Sequence, residues 1–142
     1  MEFNHGLELL QLCEATGLPI SQIMKKREAE FSGISEEEVD KKMEKALEIM
    51  KRSVSEPLVS PTASIGGLIG GEAKKLNEHR KQGKAVCGSL VSKAITYAMA
   101  VLEVNASMGV IVAAPTAGSS GVVPGVLLAL KEEFELSDEM IL

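Results

Sequence analysis

Apolar positions recur at helical spacing through the first half of the chain. Leu7, Leu10 and Leu12 mark a first helix, closed by Gly17 with Pro19 just beyond it. A second short helix is expected from Ser21 to Phe31, with Gly33 as its break. Ser35 followed three places later by Glu38 has the form of a capping box, in which side chain and backbone at a helix start satisfy each other. The helix it opens carries Val39, Met43, Ala46 and Met50 on one stripe and Lys and Glu elsewhere, and is expected to end near Val54. Ser55 to Gly71 is rich in proline, serine and glycine and reads as loop.

A short helix is expected from Glu72 to Gln82, stopped by Gly83. Ala85 to Ala106 is nearly all apolar and alternates poorly, so a buried helix is favoured over a strand. Ala94, Ala98 and Ala100 leave room for another helix to come close. Val110 to Ala114 is β-branched at one end and is the one candidate strand. Pro115 to Gly121 reads as a loop, followed by a helix from Val123 to about Glu133 with Pro124 in its first turn, where no amide donor is needed. Ser137 then caps a further element with Asp138 and Glu139 in its first turn. The fold class is therefore all-α, a partial domain with Gly-rich loops. Residues 1–54 are expected as surface helices and 55–142 as Gly-rich loops and buried helices. The pattern stops part-way, which points to a fragment.

Charge sharpens the division. Between Ala85 and Leu130 only Lys93 and Glu103 are charged. A back half of this kind needs a cover of protein, either a continuation or a partner chain. Lys93, Thr96 and Glu103 interrupt the apolar run and argue against a membrane span. The net charge is −5, with no basic stripe to meet phosphates, and three Phe, one Tyr and no Trp offer no platforms for bases. Nucleic acid is thus not an expected partner. No signal peptide is legible, and a cytoplasmic location is expected. Cys13 and Cys87 form no metal motif and are expected as small buried apolar residues.

The chemistry-bearing candidates lie in Asn105 to Gly125. Thr116, Ala117, Gly118, Ser119, Ser120 and Gly121 form a small-residue turn feeding a helix. Free N–H groups at such a start can hold an anion, and the hydroxyls of Thr116 and Ser119 add donors. An N-cap and tight turn with no ligand is the commoner meaning of such a stretch. It is not a phosphate loop of the Walker type, since the Gly-Lys-Ser/Thr ending is missing. Asn105 is either a buried polar group or a substrate donor. Ser64 to Leu76 holds two glycine pairs before Glu72, a second place for close backbone approach. His79 reads as surface. No three-ligand metal set and no Ser-His-Asp order are present.

Glu103 to Leu127, EVNASMGVIVAAPTAGSSGVVPGVL, resembles the core motif of the iron-sulfur-dependent L-serine dehydratases. That family typically shows Glu-Val-Asn-Ala-x-Met-Gly, then Pro-Thr-Ala-Gly-Ser, then Gly-x-x-Pro-Gly, and all three blocks are present in order. Gly66 to Leu76 is similar to the family's Gly-Leu-Thr-Gly-Gly-Asp segment, departing at Ile69 and Glu72. The resemblance implies the amino-terminal part of an alpha-chain catalytic domain. It also implies an L-serine ammonia-lyase, taking L-serine to pyruvate and ammonia as part of a larger enzyme, with this piece inactive alone. It implies a [4Fe-4S] cluster in the complete enzyme, held by cysteines beyond the Pro-Thr-Ala-Gly-Ser block; neither Cys13 nor Cys87 matches them, so none is expected on this chain alone. Thr116, Gly118 and Ser119 are expected to hold the substrate carboxylate, with Asn105 and Ser64 as lesser contributors and no residue assigned as base. Expected partners are the missing carboxy-terminal part, a beta chain or domain, or a second copy. Two other readings stand beside this one: a non-catalytic helical interaction module derived from the family, and a related cluster-dependent L-cysteine desulfidase-type lyase.

Overall fold

A computed structural model describes residues 2–142. Seven helices follow in order: α1 Gly6–Thr16, α2 Ile20–Ser32, α3 Glu36–Val59, α4 Glu72–Lys81, α5 Ser89–Ala106, α6 Ser119–Glu133 and α7 Asp138–Ile141. No strand occurs among the described residues, so the all-α expectation holds. Val110 to Ala114, the one candidate strand, is irregular and makes no ladder hydrogen bond among the described residues. The chain divides into two compact units, through Lys45 and from Ala46 onward, with the boundary inside α3.

In the first unit the glycine punctuation is realised. Gly17 (φ 68°) and Gly33 (φ 64°) close α1 and α2 in the left-handed region, where a Cβ would be strained. The Ser35 hydroxyl accepts from the Glu38 amide at 3.2 Å, and the Glu38 carboxylate accepts from the Ser35 amide at 2.9 Å, which completes the capping box. The Ser35 amide, and after it the Ser35 hydroxyl, donate to the Glu38 carboxyl and hold it below its ordinary range. Ile23, Ala29 and Val39 form the buried part of this unit. Lys25 pairs with Asp40 at 2.6 Å and Lys26 with Glu36 at 2.8 Å.

The second unit is built around Leu47, Val54, Tyr97, Val101, Leu128 and Ala129. Two expected boundaries move at prolines. α3 runs on to Val59 through Pro57, because Val54 is buried and Leu58 packs on the core, so burial sustains the turn that composition read as loop. α6 begins at Ser119, which places Pro124 inside the helix instead of in its first turn. Pro124 is fully buried, and its missing amide releases the Ser120 carbonyl from the helical ladder. α5 begins at Ser89, later than the apolar run does, after Gly88 at φ 78°. Cys87 is exposed and Cys13 half-buried, which corrects the expectation that both are core residues.

α5 and α6 pack closely through small residues. A Cβ on Gly125 would lie 2.8 Å from both the Ala94 carbonyl oxygen and the Ala98 amide nitrogen, and one on Gly121 2.9 Å from the Ala98 carbonyl oxygen. Among the described residues no helix is long and apolar enough to cross a membrane.

The Ser137 hydroxyl caps α7, accepting from the Met140 amide at 3.2 Å. Lys51 and Lys131 both pair with Asp138 at the start of that helix, Lys131 at 3.2 Å. The two cations, Lys51 foremost, hold the Asp138 carboxyl below its usual range. A group with a lowered folded pKa contributes fully above its unfolded value, and the contribution is lost as pH falls through the folded one. Acid is therefore expected to loosen α7. The Ile141 methyl resonances, set by contact with the core, should drift toward random-coil positions below about pH 4. In Asp138→Asn they should already have moved part of that way at neutral pH.

Candidate functional site

Thr116 to Ser119 forms a reciprocal cap at the start of α6. The Thr116 hydroxyl accepts from the Ser119 amide at 3.1 Å, and the Ser119 hydroxyl accepts from the Thr116 amide at 3.0 Å. The hydroxyls also donate inward: Thr116 to the Ser119 oxygen at 3.0 Å, and Ser119 to the Thr116 carbonyl at 2.8 Å. Both side chains are thus engaged by the turn itself. What stays open is backbone: the amides of Ala117 and Gly118 have no partner among the described residues, and both residues are exposed. Gly118 has ordinary helical angles, φ −67° and ψ −42°, and a Cβ there would meet nothing within 4 Å. A 15-residue helix stands behind these two amides, so the local field favours negative charge.

Asn105 lies in the last turn of α5 and is exposed, with its side chain unpartnered among the described residues. The helix ends just after it: the Gly109 amide donates to the Val104 carbonyl at 2.8 Å, and Met108 takes a left-handed φ of 63°. Ser64 belongs to a separate closed turn. Its amide donates to the Ile69 carbonyl at 2.7 Å and its hydroxyl accepts from the Ile69 amide at 3.2 Å. Thr116, Gly118 and Ser119 are therefore brought together in one turn. No hydrogen bond joins Asn105 or Ser64 to that turn among the described residues.

One residue links the Gly66–Leu76 and Glu103–Leu127 segments, and no role was read for it from the sequence: Glu103. It is 3 % exposed, and its carboxylate accepts from the Gly71 amide at 3.1 Å and the Ala73 amide at 2.6 Å. It thereby caps α4 from α5, placing a negative charge on amides that the helix cannot satisfy itself. Gly70 and Gly71, at φ 152° and 95°, let the backbone make this approach, and a Cβ on Gly70 would lie 2.7 Å from the Ala63 Cα. The neighbouring Glu72 carboxylate folds back onto the Gly70 amide at 2.7 Å, and that bond, first among several, holds its carboxyl below the ordinary range. The legible signal was a single acid in a stretch otherwise almost free of charge. A cleft of about 430 Å³ adjoins Glu103, with Thr62, Ser107 and Gly109 on its walls and Arg52 paired to Glu56 at its edge.

Among the described residues no group of three His, Cys, Asp or Glu side chains is placed to hold a metal ion. The two thiols belong to different compact units, Cys13 to the first and Cys87 to the second. A four-iron cluster takes three or four thiolates from its protein. The residues of this chain do not fit one.

The model of the serine dehydratase alpha chain family matches residues 15–142. The chain is 37 % identical over 131 residues to the L-serine dehydratase alpha chain of Peptoniphilus asaccharolyticus, covering 92 % of this chain and 45 % of that one. It is 37 % identical over 140 residues to a probable L-serine dehydratase alpha chain of Bacillus subtilis, covering 99 % and 46 %. The L-serine dehydratase of Streptomyces coelicolor is 35 % identical over 131 residues, covering 88 % and 27 %. No solved structure matches. The match takes in the glycine pairs before α4, the Glu103 cap and the Thr116–Ser119 turn alike. The chain belongs to the serine dehydratase alpha chain family, and it spans about half the length of the curated alpha chains it matches.

Proposed function

We propose that this chain forms part of an L-serine ammonia-lyase and that its Thr116–Ser119 turn holds the substrate carboxylate. The reaction removes the α-proton and the β-hydroxyl of L-serine as water; the aminoacrylate left behind tautomerises to the imine, which takes up a water molecule to give pyruvate and ammonia. The observation that carries the reading is the pair of unpartnered amides at Ala117 and Gly118, at the head of α6. Two N–H groups side by side match the two oxygens of a carboxylate. No acidic residue lies between Glu103 and Glu132 in the sequence to repel it. The part played by this chain is binding and orientation, which holds the Cα–H and the β-hydroxyl in place for elimination. Asn105, exposed and free to donate, is proposed as a further contact, and Ser64 as a lesser one.

Thr116 and Ser119 act here as positioning residues: their reciprocal bonds fix the two amides. In the intact enzyme, Thr116→Ala and Ser119→Ala are each expected to raise KM for L-serine by about tenfold, the equivalent of one lost well-placed hydrogen bond. Iron content should stay unchanged. Loss of a cap also costs about 1 kcal/mol of stability, so the assay belongs well below the unfolding temperature. Normal kinetics in both variants would make the turn a cap and nothing more.

A further inference from the structure

A second cleft, of about 930 Å³, opens in the same compact unit among α3, α4, α5 and α6. None of Ser64, Asn105, Thr116, Gly118 or Ser119 lines it. Its walls carry Lys51, Arg80, Lys81 and Lys131 against Glu132 and Glu135. Most of these charges are already answered. Lys51 and Lys131 share Asp138. Glu132 takes the Tyr97 hydroxyl at 2.7 Å and Lys93 at 3.6 Å.

Arg80 is different. One guanidinium nitrogen donates to the Asn77 Oδ1 at 2.8 Å, while its Nε is buried with no partner. No acid pairs with Arg80 or with the exposed Lys81 among the described residues. A buried donor left unpaired is costly, and a guanidinium has five N–H groups in a fork matched to planar or tetrahedral oxyanions. The acids that line the cleft do not supply that acceptor: Glu132 is held by Tyr97 and Lys93, and Glu135 stands exposed at the rim.

We propose that this cleft is a second binding site, for the oxyanion of a small molecule, a carboxylate or phosphate group, with Arg80 as anchor and Lys81 at the mouth. It is independent of the Thr116–Ser119 turn, and its ligand is a different one from the substrate carboxylate bound there. Tyr97 is buried in the wall of the cleft, its phenol pushed up by burial and by the hydrogen bond to Glu132. It is the one tyrosine of a chain without tryptophan, so tyrosine emission reports on this cleft.

The test is a titration of this chain with inorganic phosphate and, separately, acetate, at ionic strength held constant with sodium chloride. A saturable change in Tyr97 emission is expected with at least one of the two anions and not with chloride. Response to acetate alone would name a carboxylate, and response to phosphate alone a phosphate. Arg80→Gln should raise the midpoint about tenfold or more, as loss of a charge-assisted fork requires. Lys81→Gln, at an exposed position that leaves folding untouched, should raise it about threefold. No saturable response to either anion, or unchanged midpoints in both variants, would overturn the proposal.

Discussion

Glu103→Ala is expected to destabilise the chain by about 3 kcal/mol, because it strands buried amides at the head of α4. Gly71 and Ala73 are both buried, and the carboxylate is the acceptor for each of their N–H groups. Alanine cannot supply an acceptor, and water has no route to Ala73, which is 0 % exposed. Glu103→Gln keeps the shape and one good acceptor oxygen, so about half of the loss should return. Urea denaturation followed by circular dichroism measures both variants. A loss below about 1 kcal/mol in Glu103→Ala would mean that the α4 start is satisfied by other means. Because Glu103 also borders the cleft beside Ser107 and Gly109, the variant tests whether the glycine-pair segment is held in place from α5.

Gly125→Ala should be the second most damaging change, at roughly 2–3 kcal/mol. The added Cβ would sit 2.8 Å from the Ala94 carbonyl oxygen and the Ala98 amide nitrogen. These are backbone atoms of α5 and cannot swing aside as the end of a side chain does, so the two helices must part. Separating them opens the contact between Leu128, Ala129, Tyr97 and Val101 at the centre of the core. Gly118→Ala, where nothing lies within 4 Å, is the matched control and should be close to neutral. Thermal unfolding of the two variants side by side decides the point: equal melting temperatures would contradict the close approach of α5 and α6.

The helical class was legible because its signals are local. Gly17, Gly33 and the Ser35–Glu38 pair act within a few residues of themselves, and each does in the structure what its residue type requires. The boundaries at Pro57 and Pro124 were not legible, since a proline stays in a helix only when burial offsets the lost hydrogen bond, and burial depends on distant partners. Cys87 failed for the related reason that residue type predicts burial only on average. Of the site, Thr116, Gly118 and Ser119 were found as a turn, but the engagement of both hydroxyls within that turn depends on its geometry. Glu103 was visible as an isolated charge, yet its role requires Gly71 and Ala73 some thirty residues earlier in the chain. Sequence pattern marks that such a charge needs a partner without saying which backbone supplies it.

The substrate-binding role proposed for the α6 turn is tested most directly by the kinetics of Gly118→Ala in the intact enzyme. The substitution adds one methyl group beside an unpartnered amide, in open space and at helical angles, so the fold has no reason to respond. If a carboxylate of L-serine sits on the Ala117 and Gly118 amides, that methyl intrudes on it. KM for L-serine should then rise by about tenfold or more with melting temperature and iron content unchanged. Unaltered KM in a fully folded Gly118→Ala enzyme would contradict the assignment and leave the turn as the capping element of α6.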